Sequence, residues 1–412
     1  MLALAGQQVL ASSLPPDVPA AVVMNVHITG LAVARSMGRS GIQVVGLDME
    51  RGGLGQHSRH LAGLGLVPGP EVDGGAALAE HLLALGPSFP ARPVLMPTND
   101  DWVLALTRHR DALEPHYRFP FAAYDVVQRA LSKSELYRAC AALGIPTPRT
   151  WYLDETPAAA VADQVPYPCV LKPDDSRGFY RAFGVKVFVV HSPVEFGARV
   201  DEAALKGLTL VAQEWVDTEP GGFWSVASYL SAGGTARGLF VGRKLEQWPP
   251  DFGTSCLADA RWDVDLAAAG VAVLRQLGYH GISEIEFVQD TATGRHLLLD
   301  VNTRPWKWIG LPIAAGVDLP LLAYRDAIGD PFESPAQADG TRWTFLRDYA
   351  RLLASRAATV PEHAVTKQEW LALLSGSRSD LVDAVHDPDD PEPGFDVIWE
   401  ELQGGSGYSC AC

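Results

Sequence analysis

Two runs in which apolar and polar residues alternate every second position lie close together in the chain, Glu284-Ile-Glu286-Phe287 and Leu297-Leu298-Leu299-Asp300-Val301-Asn302. Between them, Asp290-Thr-Ala-Thr-Gly294 carries turn chemistry, so the pattern predicts two antiparallel strands, with Glu286 opposite Asp300 if the turn centres on Thr293. Side chains two apart share a face. Glu284, Glu286, Asp300 and Asn302 are therefore expected together, with Ile285, Phe287, Leu297, Leu299 and Val301 turned away.

Upstream, Ala21 to His27 reads as a buried strand, followed by a helix with Leu31, Ala34 and Met37 on one face and by a second strand, Gly41 to Asp48. A third strand, Pro93 to Pro97, ends in Thr98-Asn-Asp-Asp101, a helix start of the T-x-x-D kind. Ser132-Lys133-Ser-Glu135 is a capping box that opens a helix with Leu136, Cys140 and Leu143 on its apolar side and Gly144 at its end. Further strands are expected over Tyr167 to Pro173, Val185 to Val190 and Leu208 to Val216, then a hairpin, Phe223 to Leu230 and Thr235 to Gly242, about Gly233-Gly234. Asp263 to Leu277 is an amphipathic helix. Two more helices are predicted near Trp343 to Ala354 and Lys367 to Leu374, and Asp387 to Pro393 reads as an acidic, linker-like turn.

Composition narrows the function. The chain has 412 residues, more than one ordinary core, and its formal charge is −16 from 33 basic and 49 acidic residues. So acidic a balance argues against a nucleic-acid partner. No apolar run reaches membrane-span length, no signal-peptide charge opens the chain, and a cytoplasmic protein without a membrane partner is expected. Cys140, Cys169 and Cys256 stand singly among apolar neighbours and are expected as small buried residues. Cys410 and Cys412 are paired in a Gly- and Ser-rich tail that reads as a frayed terminus.

Chemistry concentrates in a few places. Opposed carboxylates repel unless a cation lies between them, and Mg²⁺ suits such oxygen ligands; a solvated sheet face is the competing reading. Lys133 sits in the first turn of its helix, where an anionic partner would rationalise it. Lys172 ends a strand and is followed by Asp174 to Gly184, a strand-loop-strand that can fold over phosphates, although its two glycines make a sparse cradle. Lys186 interrupts the next strand and reads from its own neighbours as facing solvent. Glu214-Trp215 ends a strand that could line an adenine pocket. Arg243-Lys244, leading into a loop with Pro249-Pro250 and Gly253, are candidates for gripping a carboxylate or phosphoryl group. A nicotinamide-binding βαβ unit is disfavoured, because Gly30, Gly38 and Gly41 do not give G-x-G-x-x-G.

In order, Thr29 to Arg35, Ser58-Arg59, Leu95 to Asp100, Lys133, Gly144 to Pro148, Lys172 to Ser176, Lys186 to Phe188, Gln213 to Val216, Arg243-Lys244 with Pro249 to Thr254, and Asp300 to Pro305 resemble the ATP-grasp superfamily. Within it they are similar to carboxylate-amine ligases of the D-aspartate ligase kind. The resemblance spans roughly residues 20 to 330. It implies an α/β (α+β) ATP-grasp fold with an N-terminal Rossmann-like pre-ATP-grasp domain. The division expected is a disordered 1–19, a pre-ATP-grasp domain 20–124, an N-terminal lobe 125–208 with a mobile phosphate loop, a C-terminal lobe 209–330 with the metal site, and a helical extension with a flexible tail, 331–412.

The resemblance also implies ATP and Mg²⁺ as cofactors, with small-molecule carboxylate and amine substrates, an amino acid or peptide among them. A homodimer is one of the assembly states left open. By position, Lys133 and Lys172 look like the phosphate-gripping lysines; Ser176 and Gly178 belong to the mobile loop, with Lys186 beyond it. Glu214, Trp215 and Val216 look like the adenine hinge, and Glu219 or Asp217 stands near the ribose. Glu286, Asp300 and Asn302 look like the magnesium ligands, Arg304, Arg243 and Lys244 like the groups that meet the transferred phosphoryl. Glu284 has no metal role in this resemblance and is expected to orient substrate or a cation such as Lys244. The activity implied is ATP-dependent amide formation through an acyl phosphate; a non-catalytic ATP-binding protein on the same fold is the alternative.

Overall fold

The computed structural model describes residues 17–250, 252–355, 364–375 and 380–403. Most of the expected N-terminal segment, the Cys410 and Cys412 pair, and Asp251 of the Pro-Gly loop lie outside these residues.

The first sheet is parallel, built from β1 (Ala21–Met24), β2 (Val44–Asp48), β3 (Leu61–Leu66) and β4 (Val94–Pro97) in the order β3-β2-β1-β4. β1, β2 and β4 are buried along their whole length, as unbroken apolar strands covered on both faces must be. The first strand is shorter than its sequence suggested because Asn25 turns the chain at φ 64°. The helix Ile28–Arg39 then packs so close that a Cβ on Gly30 would meet the Asn25 carbonyl oxygen at 2.4 Å. That close approach accounts for the glycine without any dinucleotide loop. β3 was not foreseen: its two glycines and half-exposed edge position blur the alternation.

The second sheet holds β5 (Thr150–Tyr152), β6 (Cys169–Pro173), β7 (Phe188–Val190) and β8 (Leu210–Glu214), antiparallel in the order β5-β8-β6-β7. Its core, with Phe179, Phe188, Phe196 and Val161, is separate from the others. Beside it, helix Lys133–Leu143 begins at Ser132, whose hydroxyl accepts from the Glu135 N–H at 3.3 Å, and ends at left-handed Gly144. Leu136, Tyr137 and Cys140 form its buried side; Leu143, expected there, is exposed at the last turn.

The third sheet comprises β9 (Phe223–Leu230), β10 (Ala236–Trp248), β11 (Thr254–Ala260), β12 (Gly281–Gln289), β13 (His296–Asn302), β14 (Arg342–Thr344) and β15 (Leu381–Asp383), in the order β13-β12-β9-β10-β11-β14-β15. Helix Val264–Leu277, capped by Asp263, covers one face, on which Val226, Ile285 and Phe287 are buried. On the other face Ala227, Tyr229 and Ile282 share a core with the first sheet, and Glu284 and Glu286 continue the same row toward solvent.

The segment beyond 331 is more than helices. It contributes β14 and β15 to this sheet, and helices Leu346–Ser355, Lys367–Ser375 and Glu392–Leu402. The expected linker over Asp387 to Pro393 is a docking element. Asp390 is 1% exposed, binds Arg35 at 2.8 Å and accepts from the Ser58 hydroxyl at 2.7 Å and the Arg59 N–H at 2.8 Å. Cys140, Cys169 and Cys256 are buried and free. Among the described residues no helix is long and apolar enough to cross a membrane.

Candidate active site

The site begins at the β12–β13 hairpin, whose register pairs Glu284 with Asn302 and Glu286 with Asp300. A bulge follows Glu286 and sets Leu298, in place of Leu299, opposite Phe287. Leu299 is consequently only half-buried, and its carbonyl accepts the Tyr137 hydroxyl at 2.8 Å. Glu284 lies buried between the Ser225 hydroxyl and the Asn302 amide nitrogen, each 2.9 Å away. Burial, then the Glu286 charge, pushes its pKa up. Glu284 thus orients Asn302, and the cation expected beside it belongs to Glu286. With its amide nitrogen given to Glu284, Asn302 turns its oxygen to Arg304, 3.3 Å away.

Four lysines converge on these acids from three directions. Lys133, buried in the first turn of its helix, pairs with Asp300, so its placement is not the solvated one that its own neighbours suggest. Lys244 of β10 binds Glu286 at 3.1 Å. Burial opposes the Glu286 charge, but Lys244 more than offsets it and holds the pKa below the ordinary value. Lys172, at the end of β6, accepts its place from Tyr137: the ammonium donates to the phenolic oxygen at 3.3 Å and lies 5.9 Å from the ring centre. Burial lowers its pKa to about 8, against the pull of Asp300.

Lys186 precedes β7 rather than lying in it, and by surface area it is exposed. Its ammonium nevertheless feels Lys244, Glu286, Lys307 and Arg304, and enclosure lowers its pKa to about 8. Lys186 is therefore exposed, as its own neighbours suggest, with its ammonium within electrostatic reach of Lys244 and Glu286. Four lysines around two carboxylates make a positive excess in a chain of formal charge −16. Such an excess suits a polyanion.

Arg304 leaves β13 and is 4% exposed, fixed by two bonds to Asp100, 3.1 and 3.2 Å, at the start of helix Asp100–Arg108. The cap of that helix is Asn99, one residue later than expected. Arg243 is different. Because β10 runs on to Trp248, Arg243 and Lys244 are successive strand residues and point to opposite faces. Arg243 makes a double contact with Asp259, 3.1 and 2.6 Å, on the face away from the acids. The pair therefore cannot grip one anion together from a loop, and Arg243 does not stand with the phosphoryl-meeting groups.

The expected mobile loop over 174–184 is a helix, Ser176–Phe183. Asp175 caps it, accepting from the N–H groups of Arg177 at 3.1 Å and Gly178 at 2.8 Å. The Gly178 N–H is thus engaged within the cap, and Arg177 pairs with Asp101 of the helix Asp100–Arg108, so Ser176 and Gly178 are presented from a helix start and not from an open hairpin. At the end of β8 the Glu214 carboxylate accepts from the Arg149 N–H at 2.8 Å and guanidinium at 2.9 Å. Trp215 is 40% exposed, edge-on to Phe252, with Val216 half-buried after it and Glu219 exposed beyond.

Tyr137 and Asp100 are the site residues that sequence reasoning missed. Tyr137 lies four residues after Lys133, hence on the same helix face, a signal available in the sequence. Among the described residues no group of three or more His, Cys, Asp or Glu side chains is placed to hold a metal. Glu286, Asp300 and the Asn302 oxygen nonetheless form a hard oxygen donor set, compatible in kind with Mg²⁺.

No protein-family model matches the chain. It is 20% identical over 271 residues to D-aspartate ligase of Enterococcus faecium (strain Aus0004), a match that spans 63% of each protein, less than two thirds of that relative's length. Among solved structures, N5-carboxyaminoimidazole synthetase from Staphylococcus aureus, complexed with ADP, superposes with a TM-score of 0.61 at 14% identity, covering 85% of this chain and 89% of that one. L-amino acid ligase from Bacillus licheniformis gives 0.58 at 15% identity, over 76% and 75%. The chain has the ATP-grasp fold, and it resembles the carboxylate-amine ligases of that superfamily.

Proposed function

We propose that the chain is an ATP-dependent carboxylate-amine ligase, joining a small carboxylate to an amine through an acyl phosphate with release of ADP and phosphate. The observation that supports this most is the convergence of Lys133, Lys172, Lys186 and Lys244 on the opposed Glu286 and Asp300, with Arg304 beside them. Lys133 and Lys172 neutralise the oxygens of a bound triphosphate, and Tyr137 keeps Lys172 aimed at them. Glu286 and Asp300, together with the Asn302 oxygen, are the residues that would hold Mg²⁺. Bound there, Mg²⁺ would supply charge neutralisation to the phosphates.

Arg304, held rigid by Asp100, is preorganised to donate to the transferring phosphoryl group and to the acyl phosphate. Phosphoryl transfer asks chiefly for alignment and electrostatic stabilisation, so no covalent nucleophile is required. Glu214 to Val216 and Trp215 form the edge on which an adenine would rest, with Glu219 toward the ribose.

Mixing the protein with ATP, Mg²⁺ and pooled carboxylates and amines tests the reading. ADP and phosphate release that depends on both pools, with a product of amide mass, is expected. No substrate-stimulated ADP release across a broad panel would overturn it.

A further inference from the structure

β10 is a central strand of the large sheet, yet its first half has a strand neighbour on one side only. β9 pairs with it from Ala236 onward, whereas β11 reaches it at Gly242 and then turns away, the Ala260 N–H donating to the Thr341 carbonyl at 2.8 Å. At Val241 a side chain stands in for the missing strand. The Gln337 amide accepts from the Val241 N–H at 2.7 Å and donates to its carbonyl at 3.1 Å, as a peptide group would. Backbone groups two apart on a strand face the same edge, and the β9–β10 register is unbroken from Gly238 to Lys244. Leu239 therefore turns its N–H and C=O to this edge as well, where neither has a partner among the described residues.

A half-open cavity of about 400 Å³ lies against that edge, within the ~300–1,000 Å³ of ligand pockets. Leu239, Trp262, Ser334, Pro335, Gln337 and Asp339 are in its lining. Trp262, 42% exposed, stands where the chain has left β11. Its N–H donates to Asp339 Oδ1 at 2.9 Å, and the Gln337 amide donates to the same oxygen at 2.6 Å. Both bonds fall on one oxygen, so Oδ2 is left to the cavity. The wall is tied down, the Ala338 N–H donating to the Ala315 carbonyl at 2.8 Å.

Asp339 is the charge in the lining. Exposed Glu333 adjoins Ser334 and exposed Arg261 adjoins Trp262 in the chain, while the Arg237 guanidinium is engaged by the Phe332 carbonyl at 3.3 Å and lies 4.5 Å from its ring centre. The sum over Asp339, Glu333 and Arg261 is negative. Open strand edges are ordinarily covered or blunted. Here the edge opens into a walled space with an aromatic face and a carboxylate oxygen, the parts that strand addition uses: main-chain bonds for affinity and side-chain contacts for specificity.

We propose that this cavity docks an extended segment of a partner protein, which pairs with the open edge of β10 at Leu239, packs an apolar side chain on Trp262 and sets a lysine or arginine on Asp339. The proposal is independent of the ligase reading.

The test uses capped pentapeptides, acetyl-Val-X-Val-X-Val-amide with X as Lys, Glu or norleucine, and singly N-methylated forms of the Lys peptide, titrated by calorimetry. Wild type is set beside Trp262→Ala and Asp339→Asn, both at exposed positions, with circular dichroism and ATP binding as checks of the fold. The Lys peptide is expected to bind wild type about tenfold more tightly than the Glu peptide, and N-methylation to weaken it about tenfold at alternate amides only, the signature of strand pairing. Asp339→Asn should remove the preference for Lys over norleucine, and Trp262→Ala should weaken all three peptides. Equal binding of the Lys peptide to wild type and to the folded Trp262→Ala variant, no binding of any peptide, or tolerance of N-methylation at every amide overturns the proposal. So does a wild-type dimer in sedimentation that Trp262→Ala dissociates, since a second copy would then be the occupant.

Discussion

Glu286 and Asp300 face each other with a lysine on each, and the consequence of removing either charge can be stated. Glu286→Gln keeps the side-chain shape but leaves Lys244 without its anion and the donor set one charge short. Turnover is expected to fall by about 10²-fold or more, the loss typical of removing one electrostatic stabiliser, with nucleotide binding less affected. Near-normal kcat in a steady-state assay would remove Glu286 from the chemistry. Lys172→Ala should act the other way round, raising the Kd for ATP, read by calorimetry, while the Lys133–Asp300 pair stays in place.

His27 gives a pH dependence that belongs to stability. The unfolded chain takes up a proton near pH 6.5, and the folded ring does so only near pH 3. The contribution is complete above about pH 6.5 and is lost as pH falls toward 3, by up to about 2 kcal/mol at pH 5. His27→Asn retains a capping side chain and should flatten denaturant-derived stability between pH 6.5 and 5. An unchanged slope would show that another group governs it.

At the scale of elements, the parts legible in the sequence are those where local chemistry and packing agree. Period-two alternation about a turn placed Glu286 against Asp300, and Ser132 and Asp263 announced their helices, because caps and alternation are encoded within a few residues. What escaped was decided at a distance. The end of β10 is set by its pairing with β11, which continues to Trp248, and pairing with β9 and β11 together holds Arg243 and Lys244 as successive strand residues on opposite faces. The helix Ser176–Phe183 has only eight residues and depends on the Asp175 cap and the burial of Phe179. Asp387 to Pro393 has the composition of a linker, and nothing local reveals that Arg35, more than three hundred residues earlier, awaits Asp390. That pair carries its own prediction. Asp390→Ala leaves the 5% exposed Arg35 guanidinium buried without its anion, and should cost about 3–5 kcal/mol in urea unfolding. A loss below about 1 kcal/mol would mean that the contact is no stronger than a surface pair.

For the whole molecule, the decisive fact is that the segment after residue 330 is woven into the fold rather than added to it. β14 pairs with β11 and β15 with β14, so removing them would expose the edge of a central strand of the large sheet. The same cut would strip Trp343, Phe345 and Val385 from the core shared with the first sheet, and would leave Lys307 without Asp348 and Arg35 without Asp390. A chain ending at residue 330 is therefore expected to be insoluble or to lack a cooperative unfolding transition, even though it retains Lys133, Lys172, Lys244, Glu286, Asp300 and Arg304. Expressing that fragment beside the full chain and comparing near-ultraviolet circular dichroism and ATP binding decides the matter. A soluble fragment with a native-like spectrum and undiminished ATP affinity would show that the first three hundred and thirty residues fold alone and that the C-terminal segment does not support the scaffold.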